Sequence, residues 1–155
     1  MVTRSGIRVL LVDDHRILRE SLRSCLKSVP NIEVVGEACN GQEAMSCIGK
    51  LQPQVVLMDI NMPIMDGVAA TRLIRARHPH VAVMALSITD DQYKKVAMER
   101  AGAFGVMTKG KHSMEEVCRE MEKAAAMMSL ISELRKEAEI NEVLKQRYSK
   151  ETAMN

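Results

Sequence analysis

The chain alternates between short apolar runs and longer stretches with helical spacing. Ile7 to Val12 is continuously apolar apart from Arg8, which predicts a strand buried on both faces. From Arg16 to Ser28 the apolar positions Leu18, Leu22, Cys25, Leu26 and Val29 fall on one helical face, and Pro30 stops the helix. A second strand is predicted from Ile32 to Ala38. A helix from Asn40 to Lys50 follows, with Asn40 and Glu43 spaced as a capping box. Pro53 precedes a third strand, Val55 to Ile60, and residues 61–67 form a loop whose Asp66 caps a helix to Arg77. Beyond Pro79, a fourth strand covers Val81 to Leu86. A helix starting at Thr89 or Asp90 runs to about Arg100, Gly102 breaks it, and Phe104 to Met107 is a fifth strand. Five apolar strands alternating with helices predict an α/β fold. Its sheet is parallel and doubly wound, with right-handed crossovers.

The last part of the chain follows a different rule. Ser113 and Glu116 form another capping box, and no Pro or Gly occurs from there to Asn155. Val117, Met121, Ala124, Met128, Ile131, Leu134 and Ala138 keep three–four spacing, and Val143, Leu144 and Tyr148 continue it more weakly. A helix from Ser113 to Lys150 is about 57 Å long, more than a compact sheet can cover. The expected division is a sheet domain over residues 5–128 and a helical extension or linker over 129–155.

Composition narrows the function. Of the 155 residues, 22 are basic and 20 acidic, and there is no Trp, with only two Tyr and one Phe. That balance gives no basic footprint for nucleic acid and almost no aromatic platform for base stacking. No apolar stretch reaches membrane-spanning length, and the short run before Asp13 and Asp14 is not a signal peptide, so a cytoplasmic location is expected. Cys25, Cys39, Cys47 and Cys118 lack metal-site spacing and are expected to be reduced and buried. The 13 methionines are expected mainly as core filler, with Met127 and Met128 as a possible recognition surface.

In an open parallel sheet, chemistry collects beyond the carboxyl ends of the strands. Asp13 and Asp14 follow the first strand there and Asp59 ends the third. Ser87 follows the fourth, and Lys109 the fifth. Each has an ordinary reading as a turn, cap or surface residue. Gathered at successive strand ends, the three acids call for a cation, and an all-oxygen set suits Mg²⁺ better than zinc. The amine balances a second anion, and a phosphoryl group fits beside metal and lysine. No GxGxxG, Walker A loop or HExxH accompanies them, so one carboxylate is left as nucleophile for an acyl phosphate.

Five separated stretches resemble the receiver domain of bacterial response regulators, with a CheY-like, flavodoxin-like fold. They are LLVDDH at 10–15, ACNGQEA at 38–44, LMDINMPIMDG at 57–67, and ALS at 85–87 with AGAFGVMTKG at 101–110. The resemblance spans about Arg8 to Met121, and the wording is most similar to the NarL/FixJ subfamily with a LuxR-type output. It implies that Asp59 accepts a phosphoryl group from a sensor histidine kinase or a phosphotransfer protein. It implies Mg²⁺ on Asp14, Asp59 and the backbone carbonyl of Asn61, with Asp13 nearby or acting through water. Ser87 and Lys109 would each meet a phosphoryl oxygen, and Pro63 and Gly67 would shape the loop beneath the acceptor. Such a protein is not an enzyme beyond its own Mg²⁺-dependent phosphorylation and dephosphorylation.

Two positions depart from the family pattern. Val106 stands where Tyr or Phe is usual, with Phe104 two residues earlier expected on the same face by strand alternation. Ile88 stands after the switch hydroxyl where a small residue is common, and is expected to crowd the phosphodonor. Three alternatives remain. One is a docking or dimerisation module with weak or no phosphorylation. Another is a shortened piece of a DNA-binding regulator. The third is an Mg²⁺-dependent phosphatase, disfavoured by Asn61 where an acid–base aspartate is wanted. Residues 113–150 are expected to pair with a second copy or a partner helix, with no direct nucleic-acid or membrane contact.

Overall fold

A computed structural model describes residues 6–153. Met1–Ser5 and the last two residues, at the outer ends of the two segments expected above, lie outside the described residues. The strands are β1 (Ile7–Val12), β2 (Ile32–Ala38), β3 (Val55–Met58), β4 (Ala82–Ser87) and β5 (Gly105–Thr108). They alternate with α1 (Arg16–Lys27), α2 (Gly41–Leu51), α3 (Gly67–Arg77), α4 (Gln92–Ala101) and α5 (Met114–Ala153). All pairings are parallel, in the order β2-β1-β3-β4-β5. The order reverses between β1 and β3, and a crevice opens at the carboxyl ends of those two strands.

Strand alternation divides the core. Val9, Leu11, Leu57 and Met84 face one side, where Leu26 of α1 and Met121 of α5 close the layer. Leu10, Val12, Val56 and Met58 face the other, against Ile48 of α2, Ile74 of α3 and Met98 of α4. Both faces are apolar because helices cover both, which is why the strands read as continuous runs.

Several boundaries shift from the expectation, each for a local reason. β3 ends at Met58: Asp59 N–H still donates to the Val12 carbonyl at 2.8 Å, but the Ile60 carbonyl turns to accept from Gly67 N–H at 2.9 Å. β4 and β5 each begin and end one residue later than expected, so Ser87 is the last residue of its strand. α4 is capped by Asp91, whose Oδ1 accepts from Tyr93 and Lys94 N–H. Asp90 is instead bound by Lys95 and Lys111, and these two ammonium groups hold its carboxyl low, at about 2. Phe104 precedes β5, so alternation does not govern it. It packs on the α1–α5 side, while Val106 packs on the opposite side. The four cysteines are free, as expected, but the expected burial holds only for Cys118. Cys25 and Cys39 are exposed, Cys47 is half-buried, and only Cys118 is buried. Cys25 occupies the edge of the α1 face, where only Leu26 is fully enclosed.

The methionines divide by position. Met58, Met84, Met98, Met107 and Met121 are buried and Met128 packs on the core, whereas Met127 is exposed. α5 is one continuous helix, opened by the expected box: Ser113 Oγ accepts from Glu116 N–H and Glu116 Oε2 from Ser113 N–H. Its buried positions end at Ala125. Ile131 and Ser132 are half-buried, and every residue from 133 to 150 is exposed.

The loop after β3 carries strain. Ile64 sits at φ +67°, and Met65 N–H donates to the Pro63 carbonyl at 2.7 Å, closing a γ-turn around it. A β-branched side chain is poorly suited to that backbone region. Ile64 is 79% exposed and has little packing to lose. Ile64→Gly is therefore expected to raise stability by about 1 kcal/mol, read by urea unfolding. An unchanged or lower midpoint would show that the turn is not strained.

Candidate functional site

The backbone first fixes where the strand ends lie. Asp13 N–H donates to the Ala38 carbonyl at 3.1 Å, Asp59 N–H to Val12 at 2.8 Å, and Lys109 N–H to Ser87 at 2.7 Å. Each functional residue is thus tied to the neighbouring strand, and the groups project from one rigid edge. Gly67 brings the loop beneath that edge. A Cβ there would lie 2.2 Å from the Asp59 carbonyl oxygen, so no side chain fits while α3 starts where it does.

Asp13 and Asp59 are buried, whereas Asp14 is exposed at the rim. Asp13 is held at both oxygens. Its Oδ1 accepts from His15 N–H at 2.8 Å and its Oδ2 from Lys109 Nζ at 2.7 Å. Arg19 Nη1 donates to the Asp13 carbonyl at 2.6 Å, fixing the turn into α1. Among the described residues Asp59 has no ion-pair partner as close as that of Asp13. Burial is the main cause that lifts its carboxyl to about 6, Asp13 adds to the rise, and the Lys109 ammonium and Ile60 N–H oppose it.

Asp13, Asp14, His15 and Asp59 each offer a ligand atom, and these atoms lie within 4.8 Å of one another. His15 Nδ1 is 3.2 Å from Asp13 Oδ1 and 3.1 Å from Asp14 Oδ1. Compact carboxylate oxygens around a partly buried anion are the donor set of a hard divalent ion. The residues present therefore fit a bound cation.

Ser87 is buried, and its Oγ accepts from Thr89 N–H at 3.2 Å. It pairs in register with Thr108 of β5, the residue before Lys109. Thr108 Oγ1 is buried without a hydrogen-bond partner. Ile88 is exposed, Asn61 and Pro63 are exposed in the loop, and Phe104 and Val106 are half-buried on opposite sides of the sheet. The structure thus brings Asp13, Asp14, Asp59 and Lys109 to one crevice and puts Ser87 at the end of adjoining β4. The sequence reading passed over His15 and Arg19. His15 directly follows two strand-end aspartates and could have been found from that adjacency. Arg19, six residues beyond Asp13 in α1, carries no signal in one dimension.

Residues 9–121 match the response regulator receiver domain. The chain belongs to the receiver family. Similar proteins include the transcriptional regulatory protein DegU of Brevibacillus brevis, 39% identical over 108 residues, covering 70% of this chain and 46% of DegU. The response regulator GacA of Pseudomonas viridiflava is 39% identical over 104 residues, covering 67% of this chain and 49% of GacA. The receiver spans about half the length of these curated relatives. Among solved structures, a LuxR-family two-component response regulator from Aurantimonas sp. SI85-9A1 superposes with a TM-score of 0.73 at 31% identity. That match covers 79% of this chain and 86% of the other. The response regulator domain of Thermotoga maritima CheB gives 0.63 at 31% identity, covering 84% and 95%. The receiver is thus homologous to response regulators of two-component systems, and Asp13, Asp14 and Asp59 form its acidic site.

The raised Asp59 carboxyl sets a pH dependence. The fold favours protonated Asp59, so this contribution is complete below the ordinary value of 3.8 and is lost as pH rises through about 6. In EDTA, Asp59→Asn is expected to be more stable than the parent by about 1–3 kcal/mol above pH 7. The difference should shrink toward zero near pH 4. Urea unfolding at several pH values checks this, and a pH-independent difference would contradict it.

Proposed function

We propose that this receiver accepts a phosphoryl group on Asp59 from the phosphohistidine of a sensor histidine kinase or phosphotransfer protein. One observation carries the reading. Among the described residues Asp59 is a buried carboxylate with no ion-pair partner as close as that of Asp13, while Lys109 beside it is held in place through Asp13. A carboxylate oxygen of Asp59 attacks phosphorus, the P–N bond to the donor imidazole breaks, and that nitrogen keeps the bonding pair. The product is an acyl phosphate. Asp14, Asp59 and the Asn61 carbonyl would hold Mg²⁺, with Asp13 close by or acting through water. When bound, the ion supplies charge that offsets crowding between the carboxylates and the incoming phosphoryl oxygens. Lys109 offers its ammonium to one phosphoryl oxygen and Ser87 its hydroxyl to another. Pro63 and Gly67 keep the loop close beneath the acceptor.

The remaining features fit this role. The receiver turns over only its own phosphoryl group, works in the cytoplasm, and controls an output by association. No helix among the described residues is long and apolar enough to cross a membrane. DegU carries the name of a transcriptional regulator, and regulated transcription is the output class proposed here. Residues 5–128 act as the receiver. The extension over 129–155 contributes to a surface, residues 113–150, that pairs with a second copy or a partner helix. Val106 stands in place of an aromatic side chain and packs on the side of the sheet opposite α5, so the switch works without an inward-swinging ring.

Incubation with acetyl phosphate and Mg²⁺ followed by intact-mass measurement tests the acceptor. One phosphoryl adduct is expected in the parent and none in Asp59→Asn, with Asp14→Ala abolishing uptake and Asp13→Ala weakening it. Full labelling of Asp59→Asn would remove the assignment.

A further inference from the structure

The exposed length of α5 has its own pattern. Beyond Met127, the positions Leu130, Leu134, Glu137, Asn141, Leu144 and Tyr148 recur at alternating four- and three-residue steps, forming one seam along the helix. The four apolar members of that seam are exposed. It lies on the opposite side of the helix from Met121, Ala125 and Met128, which pack on the sheet of their own chain. α5 therefore presents two faces: one satisfied within the receiver, the other open.

Glu137 and Asn141 decide what fits that open seam. Paired parallel and in register with a second copy, Glu137 would face Glu137, two carboxylates in one layer. Paired antiparallel about an axis beside Glu139, every layer is complementary. Leu134 meets Leu144 of the second copy, Leu130 meets Tyr148, and Glu137 meets Asn141, whose amide N–H can donate to the carboxylate. The flanks agree as well. Ile140 meets its own symmetry mate, as does Ala138, and Glu133 faces Arg147. Ser132 is half-buried and residues 133–150 are exposed, so the seam is accessible, and the antiparallel arrangement directs the two receivers toward opposite ends of the pair. An unsupported helix of this length is marginal in water, so pairing also keeps the segment helical.

We propose that residues 127–150 pair with the same segment of a second copy as an antiparallel two-stranded coiled coil, with its two-fold axis beside Glu139. The proposal rests on the association through residues 113–150 put forward above and names its occupant, polarity and register.

Cysteine crosslinking on the full chain reads the polarity, in a Cys25→Ser, Cys39→Ser background that removes the exposed native thiols. In the antiparallel pair residue 134 lies about 15 Å from its own mate and directly against residue 144 of the other copy. Neither L134C nor L144C alone should form a disulfide dimer, whereas a mixture of the two should. Self-crosslinking of each single variant would mean a parallel pair and overturn the proposal, as would no crosslink in any arm. Sedimentation supplies the second readout. The parent should be dimeric at high micromolar concentration, and Leu134→Glu, at an exposed position, should weaken the dimer at least tenfold. A dimer insensitive to Leu134→Glu puts the interface elsewhere and overturns the proposal. A monomeric parent overturns both the proposal and the association reading. Acyl-phosphate formation by Leu134→Glu is measured in parallel and should be unchanged, so the acceptor chemistry is judged independently.

Discussion

The ion pair between Lys109 and Asp13 organises the site. Three carboxylates at the ends of adjacent strands repel one another, and two of them are buried. Lys109 Nζ lies 2.7 Å from Asp13 Oδ2 and adds positive charge beside Asp59. The pair joins residues 96 positions apart, one after β1 and the other after β5. It therefore spans the sheet from its switch point toward its edge strand. Asp59 lies between these two ends and is left with less compensation. The result is an acid lifted to about 6, toward the neutral range.

The rest of the crevice keeps that imbalance in place. Arg19 holds the Asp13 carbonyl, His15 caps Asp13 from the rim, and Gly67 allows the loop to press against the Asp59 backbone. Two come from the start of α1 and the third from the start of α3, and each fixes the backbone or side chain of an acid. Deep burial of a polar group is tolerable only when its position is constrained in this way.

Much of this was legible in one dimension. Apolar runs between helical patterns give a doubly wound parallel sheet, and that sheet alone predicts where Asp13, Asp59, Ser87 and Lys109 converge. The capping boxes at Asn40–Glu43 and Ser113–Glu116 are local and were read directly. What escaped depends on competition between neighbours. Asp90 and Asp91 are equivalent caps in sequence, and only Lys95 and Lys111, the latter 21 residues away from Asp90, divert the first. Phe104 was assigned a face by alternation although it lies just outside the strand. Cys25 looked apolar by spacing but occupies the edge of a face that encloses Leu26 alone. The three–four stripe of α5 merged two faces, because periodicity does not show where the supporting sheet ends.

The continuity of α5 also has a mechanical meaning. It starts at Met114, five residues after Lys109, and has no glycine or proline at which to bend. Beyond Ser132 it projects about 30 Å. Such a rod is a lever: a tilt of about 5° where it leaves the sheet carries its far end roughly 3 Å. That displacement is comparable to the offset between neighbouring side-chain layers. Sub-ångström adjustments where α5 meets the sheet, too small to alter the acidic site visibly, would become at the helix tip a choice between matched and mismatched contacts.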